Sequence, residues 1–322
     1  MFALVQYATR RLLGAIPLLL GLVTIVFFLS RLLPGDATDT LLSPSVPASV
    51  REQLKVQLGL DRPLHEQYFA WLRSVLAGDF GVSFTRNQPV LHVVGEAFPN
   101  SVILGGAAFV LEVLAGIFIA LPTFLCEGRR LEKLLANVML GVYAVPSFWI
   151  GMVLLVIFSY GMGLFPASQM YDSGEYGSWS SLLHHLVLPA VTVATPAAAG
   201  FARYLRSTIA TTRKQEYVLF ARSMGLSEAK IFRSYILPNS ISPLISLAGV
   251  EIGILLAGVL VTETLFSWPG MGQLMVHAIY ARDYPVILGC TVIAGVAAIA
   301  GNLLADVTNA LVNPRIRTVG DS

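Results

Sequence analysis

216-EYVLFARSMGLSEAKIFRSYILPNS-240 is a polar, basic, helix-forming stretch set between two apolar runs, with a glycine at its middle and a proline at its exit. Tyr217, Phe220, Ala221 and Met224 fall at i, i+3, i+4 and i+7, one apolar stripe on a short helix. Lys214, Glu216 and Arg222 lie mostly off that stripe. Gly225 is placed for a left-handed C-terminal turn, which only glycine enters without steric cost. Ser227 can cap a second helix, with Glu228 in its first turn, where the helix dipole favours negative charge. Pro238 suits the first turn of the next helix, having no N–H to leave unpaired. The spacing predicts helix, sharp turn, helix, pinned between membrane spans. Tyr217 and Phe220 could hold such a loop at the lipid headgroups. Stripe, turn glycine and exit proline together favour docking onto a partner.

The flanks set the class. Hydrophobic residues make up 55% of the 322, charged residues only 12%, and the mean hydropathy is +0.71. That is too apolar for a soluble domain. Six stretches approach or exceed the roughly 20 residues a helix needs to cross hydrocarbon: about 11–32, 101–125, 134–160, 184–204, 239–262 and 286–312. Basic residues cluster on one side of them. Arg10 and Arg11 precede the first stretch, Arg129, Arg130 and Lys133 lie between the second and third, and Arg315 and Arg317 close the chain. Arg203, Arg206, Arg213, Lys214, Arg222, Lys230 and Arg233 lie at or between the ends of the fourth and fifth. Long loops translocate largely regardless of charge, so the positive-inside rule puts both termini and the 205–238 loop in the cytoplasm. The net charge of +2 adds nothing about partners. No small-x-small site follows the first apolar run, which reads as a retained helix over 1–33. Cys126 and Cys290 should sit at different depths, so a disulfide is not expected.

Residues 34–98 form the one sizeable segment expected outside the cytoplasm, long enough for helices that pack on the membrane face. Leu54 and Leu58 make one amphipathic patch, and Leu64, Tyr68, Trp71, Leu72 and Val75 a second after Pro63. The plain expectation is a helical cap that buries Trp71 and Tyr68 at the interface. Glu112 and Glu251 fall near the middle of their spans, where an ionised carboxylate costs about 2.5–3.5 kcal/mol. They should face a polar path for substrate or make a structural hydrogen bond to a neighbour. For Asp306, beside Asn302 and Asn309, a helix-packing network is expected. His184 and His185 point about 100° apart on a helix, and the other histidines are isolated, so no metal site is expected. Pro189, Pro196 and 197-AAAG-200, with Gly289, Ala294, Gly295, Ala297, Ala298, Ala300 and Gly301, suit helices packed inside an assembly.

Ala221, Gly225, Leu237 and Pro238 stand at the spacing of the EAA loop of ATP-binding-cassette importer permeases, with Leu219 and Phe220 where relatives often carry Glu-Ala. The form Y-V-x-x-A-R-x-x-G-L, ending at Leu226, resembles the dipeptide, oligopeptide and nickel branch. So do LLPGD at 32–36, LGLDRPLHEQYFAWL at 58–72 and GDFGVSF at 78–84. TETLFSWPGMGQL at 262–274, ARDYPVI at 281–287 and NPRIR at 313–317 extend the likeness to the end of the chain. The resemblance implies the B-type subunit of such an importer, with an all-α type I permease fold and a 99–312 core of five spans after the first. The tail, 313–322, would be cytoplasmic. A homologous second permease, two ATPase subunits and an extracytoplasmic solute-binding protein would complete a bacterial inner-membrane assembly. Trp71 and the 266-FSWPGMG-272 turn, through Phe266, Trp268, Pro269 and Gly270, are candidates for the binding-protein contact. No G-x-x-x-x-G-K-[ST] loop occurs, so ATP and Mg are expected on the ATPase subunits. No catalytic constellation is visible, and the chain is not expected to be an enzyme. Peptides are the favoured cargo, with nickel or another metal chelate, or glutathione, as alternatives. An ion-coupled carrier using Glu112 and Glu251, or a non-transporting scaffold, are the readings from other classes.

Overall fold

The computed structural model describes residues 2–32, 47–57, 59–125, 130–256 and 259–312. Leu58, Cys126, most of the LLPGD word and the 313–322 tail lie outside them. Among the described residues the fold is helical, apart from one isolated antiparallel bridge between Val82 and Pro89. The helices are α1 (Phe2–Arg31), α2 (Ala48–Gln57), α3 (Leu64–Leu76), α4 (Val90–Leu125) and α5 (Arg130–Ala144). α6 (Ser147–Leu154) runs on through π-helical turns, Leu155–Gly161. Then come α7 (Trp179–Thr212), α8 (Glu216–Ser223) and α9 (Glu228–Ile231), the last passing through a π turn, Phe232–Ile236, into α10 (Leu237–Leu256). α11 (Leu260–Leu265), α12 (Met271–Tyr280) and α13 (Tyr284–Val312) complete the order.

Four described helices, α1, α4, α7 and α13, are long and apolar enough to cross a membrane, and α5 with α6 makes a fifth if the bent pair is one span. α10, at 20 residues, takes the place of the stretch expected at 239–262. Three boundaries differ from the sequence expectation. The second span starts at Val90, inside the segment assigned to the outer face. The third is two helices meeting at 95°, because Pro146 has no N–H for the preceding turn and opens α6 instead. The fifth ends at Leu256, and α11 is separate.

Packing concentrates at the two ends of the bundle. At one end α4, α12 and the start of α13 share a core that includes Val90, Val93, Met271, Leu274, Ile287 and Cys290. At the other, Ala120, Met139, Phe201, Leu205 and Ile209 pack with residues of the 216–240 loop. Between them α10 and α13 approach closely: a Cβ on Gly301 would stand 2.9 Å from the Gly253 Cα. Small residues permit that contact. α1 lies on the perimeter with Leu13, Leu18 and Ile25 exposed. Asp306 takes part in an ion pair across to α1, Arg11 Nε to Oδ2 at 3.3 Å, while Asn302 is exposed. Asp306 thus finds a partner charge on another helix, as a helix-packing role expects.

Candidate functional site

The loop forms around Gly225. α8 ends at Ser223, and Gly225 takes φ +76°. Its N–H donates to Arg222 O at 2.9 Å and the Leu226 N–H to Ala221 O at 3.4 Å. Those are the two bonds of a Schellman turn, which uses a left-handed residue to satisfy carbonyls the helix end leaves open. Ser227 stands at the N-cap of α9 in extended conformation, though its hydroxyl makes no capping bond. Glu228 in the first turn accepts instead from Arg222, Nε at 2.8 Å and Nη2 at 3.2 Å. This side-chain pair ties α8 to α9, and the guanidinium holds the Glu228 carboxyl below its ordinary range. Pro238 falls in the first turn of α10, but α9, the π turn and α10 run on without a break, so the helix is entered from a π turn and not from a loop. A proline inside a helix forfeits one bond and crowds the preceding turn, and the wide π turn just before it takes up that misfit.

The stripe is divided by the fold. Val218, fully buried, and Ala221 face the bundle with Ile231, Ile236 and Leu205. Leu226 packs against the same cluster. Tyr217, Phe220 and Met224 point away, at 40%, 66% and 63% exposure, with Leu219 beside them. Ala221 therefore belongs to the anchoring face and not to the outer stripe. Val218, missed in the sequence, is the other anchor. Its i, i+3 relation to Ala221 was the available signal. The result is an exposed apolar patch on a short helix whose opposite face is locked into the core.

Glu112 and Glu251 come together. Both line one cavity of about 460 Å³ between α4, α5, α7 and α10, with Tyr143, Arg203, Tyr204 and Ser207. Glu112 is buried, and it shares the lining of this cavity with Glu251. The Arg203 guanidinium sits over the Tyr143 ring, 4.5 Å from its centre.

The 266–272 turn lies inside the fold. Trp268 and Phe266 are buried, Trp268 among Leu104, Leu182 and Ala190. Its Nε1–H donates to Asn100 O at 2.8 Å, and Asn100 Nδ2 donates to Pro269 O at 2.8 Å. Gly270 is buried too, and Pro269 alone of the four is exposed. The turn thus clips α11 and α12 to α4, and two of its candidate contact side chains have no free surface. Trp71, half-buried on α3, lies near Phe27 with ring centres 5.7 Å apart, and Tyr68 bonds Thr24 at 2.7 Å, so α3 packs on α1 with neither ring fully buried.

Two acids escaped the sequence reading. Glu263, fully buried, accepts from Ser101 Oγ at 2.7 Å, Gly272 N–H at 2.7 Å and Gln273 N–H at 3.1 Å. Its carboxylate thereby caps α12, where the positive helix end favours it. Asp283 accepts from Ser83 Oγ at 2.6 Å, Thr85 N–H at 3.0 Å and Thr85 Oγ1 at 2.8 Å, holding the 82–89 hairpin on α13. The donors to Asp283, and Ser101 for Glu263, are remote in the chain, whereas Gly272 and Gln273 lie nine and ten residues after Glu263, across the Trp268–Gly270 turn. Among the described residues no three His, Cys, Asp or Glu side chains converge as metal ligands.

Apolar helices thus surround a cavity that carries two glutamates and an arginine, and an apolar patch is held outside them. Residues 112–318 match the binding-protein-dependent transport system inner membrane component, and 4–105 match the N-terminal region of such membrane components. The chain belongs to this family of importer permeases. The oligopeptide transport system permease protein AppB of Bacillus subtilis (strain 168) is 33% identical over 96% of this chain and 98% of its own length. The glutathione transport system permease protein GsiC of Salmonella paratyphi A is also 33% identical, over 98% of this chain and 99% of its own. Among solved structures, an inward-facing MetNI methionine ABC transporter chain gives a TM-score of 0.49 at 14% identity, over 70% of this chain and 96% of that one.

Proposed function

We propose that this permease subunit carries short peptides inward across a bacterial inner membrane, beside a homologous second permease. Two ATPase subunits bind ATP and Mg and dock on the 216–240 loop, while a solute-binding protein docks at the opposite end of the bundle. The loop and both termini are then cytoplasmic. One observation carries the reading: the exposed patch of Tyr217, Phe220 and Met224 stands on a helix anchored from behind by Val218 and Ala221. Force applied to the patch passes directly into α4, α5, α7 and α10. Packed interiors transmit such displacement because they are dense and barely compressible. The binding protein meets the outer face around α2, α3 and Pro269.

Peptide cargo is supported by relatives named for oligopeptide and glutathione transport. Glutathione, itself a tripeptide, is the second reading for that reason. A cysteine at position 220 should crosslink to the ATPase subunit in the assembled importer, and mass spectrometry of the ligand on the co-purified binding protein should return a peptide. No crosslink would remove the docking role, and a metal chelate on the binding protein would remove the peptide reading.

A further inference from the structure

We infer that the cavity between α4, α5, α7 and α10 is a transit subsite for an ammonium group, with Glu112 and Glu251 as its anionic partners and the amino terminus of a peptide as its ligand. The inference rests on the peptide-import reading above. Glu112 is only 3% exposed, and among the described residues none donates a hydrogen bond to its carboxylate. Burying a carboxylate without a partner is costly, and bringing a second toward it raises the cost. The two glutamates and Arg203 leave one negative charge unbalanced in the lining. One monocation would balance it.

The rest of the lining suits an alkylammonium better than a bare metal ion. Tyr143 and Tyr204 present rings, and Tyr143 already holds a cation, Arg203, at 4.5 Å. Aromatic faces attract organic cations through their negative quadrupole. A volume of about 460 Å³ falls in the range of small-molecule sites, roughly 300–1,000 Å³.

The test uses the full importer in detergent, without its binding protein, so that selection by that protein does not enter. Binding of trialanine and of N-acetyl-trialanine is measured by titration calorimetry on wild type, Glu112→Gln, Glu251→Gln and the double variant. Wild type should prefer the free amine by roughly ten- to hundredfold, the range of one charge-assisted hydrogen bond. Each single variant should narrow that preference and the double variant abolish it. Equal binding of the two peptides by wild type overturns the inference, as does an undiminished preference in the double variant or no binding of trialanine at all. Co-elution with the partner permease checks folding of each variant. ATPase stimulation by the binding protein, measured on the same wild-type preparation, tests the importer reading separately: stimulation without amine preference sinks only the subsite.

Discussion

Substitution at Gly225 probes the loop at the position least tolerant of a side chain. Its φ of +76° is left-handed, and a Cβ placed there meets nothing within 4 Å. Any defect must therefore come from backbone conformation and not from crowding. An L-residue costs about 1–2 kcal/mol in that region, and a β-branched one more. If the turn opens, the bonds from Gly225 N–H and Leu226 N–H are lost as well, about 1 kcal/mol each. Gly225→Val should disfavour the closed turn by about 2–3 kcal/mol, raising the open fraction about 30- to 150-fold. Gly225→Ala should lose about half as much, and Gly225→Asn least, because asparagine tolerates this conformation. The assay is ATP-driven uptake by proteoliposomes holding the complete importer, normalised to permease present. Expected uptake falls in the order wild type, Asn, Ala, Val. Wild-type uptake by the valine variant, or an asparagine variant as poor as valine, would refute the reasoning.

Phe220→Asp should leave folding unchanged, since the ring is 66% exposed, yet abolish uptake, whereas Val218→Asp should prevent assembly, because its site has no exposure. Size-exclusion profiles and uptake on the same samples distinguish them, and a correctly assembled Val218→Asp would contradict the anchoring role. Glu263→Leu strands three donors, at about 1–3 kcal/mol each, so the monodisperse fraction after heating should drop sharply below wild type; equal heat resistance would discount the helix cap. Arg222 lowers the Glu228 pKa from its ordinary 4.5, so the pair's contribution is complete above that value and is lost as pH falls through the lowered one. The melting-temperature difference between wild type and Glu228→Gln should accordingly shrink below pH 4.5, and a difference that grows there has the wrong sign.

Local chemistry determined much of this protein. Apolar runs about a membrane thick declared the spans, and the Gly225 turn was legible because only one residue type takes that conformation freely. The apolar periodicity of 217–224 marked a helix with something to bury. It could not say which side, because α8 carries hydrophobic residues all round except at Glu216, Arg222 and Ser223. Only the packing of α4, α5, α7 and α10 decided that Val218 and Ala221 turn inward and Tyr217, Phe220 and Met224 outward. The same holds for Trp268, read from its turn as a surface group but buried by helices that arrive from elsewhere in the chain. Asp283 finds its donors, and Glu263 its Ser101 partner, across long separations, and Glu112 and Glu251 meet only where their helices cross. Periodicity and turn chemistry act over one or two helical turns, so the sequence by itself specified elements; burial and charge pairing depend on contacts between remote segments, and those the tertiary structure decided.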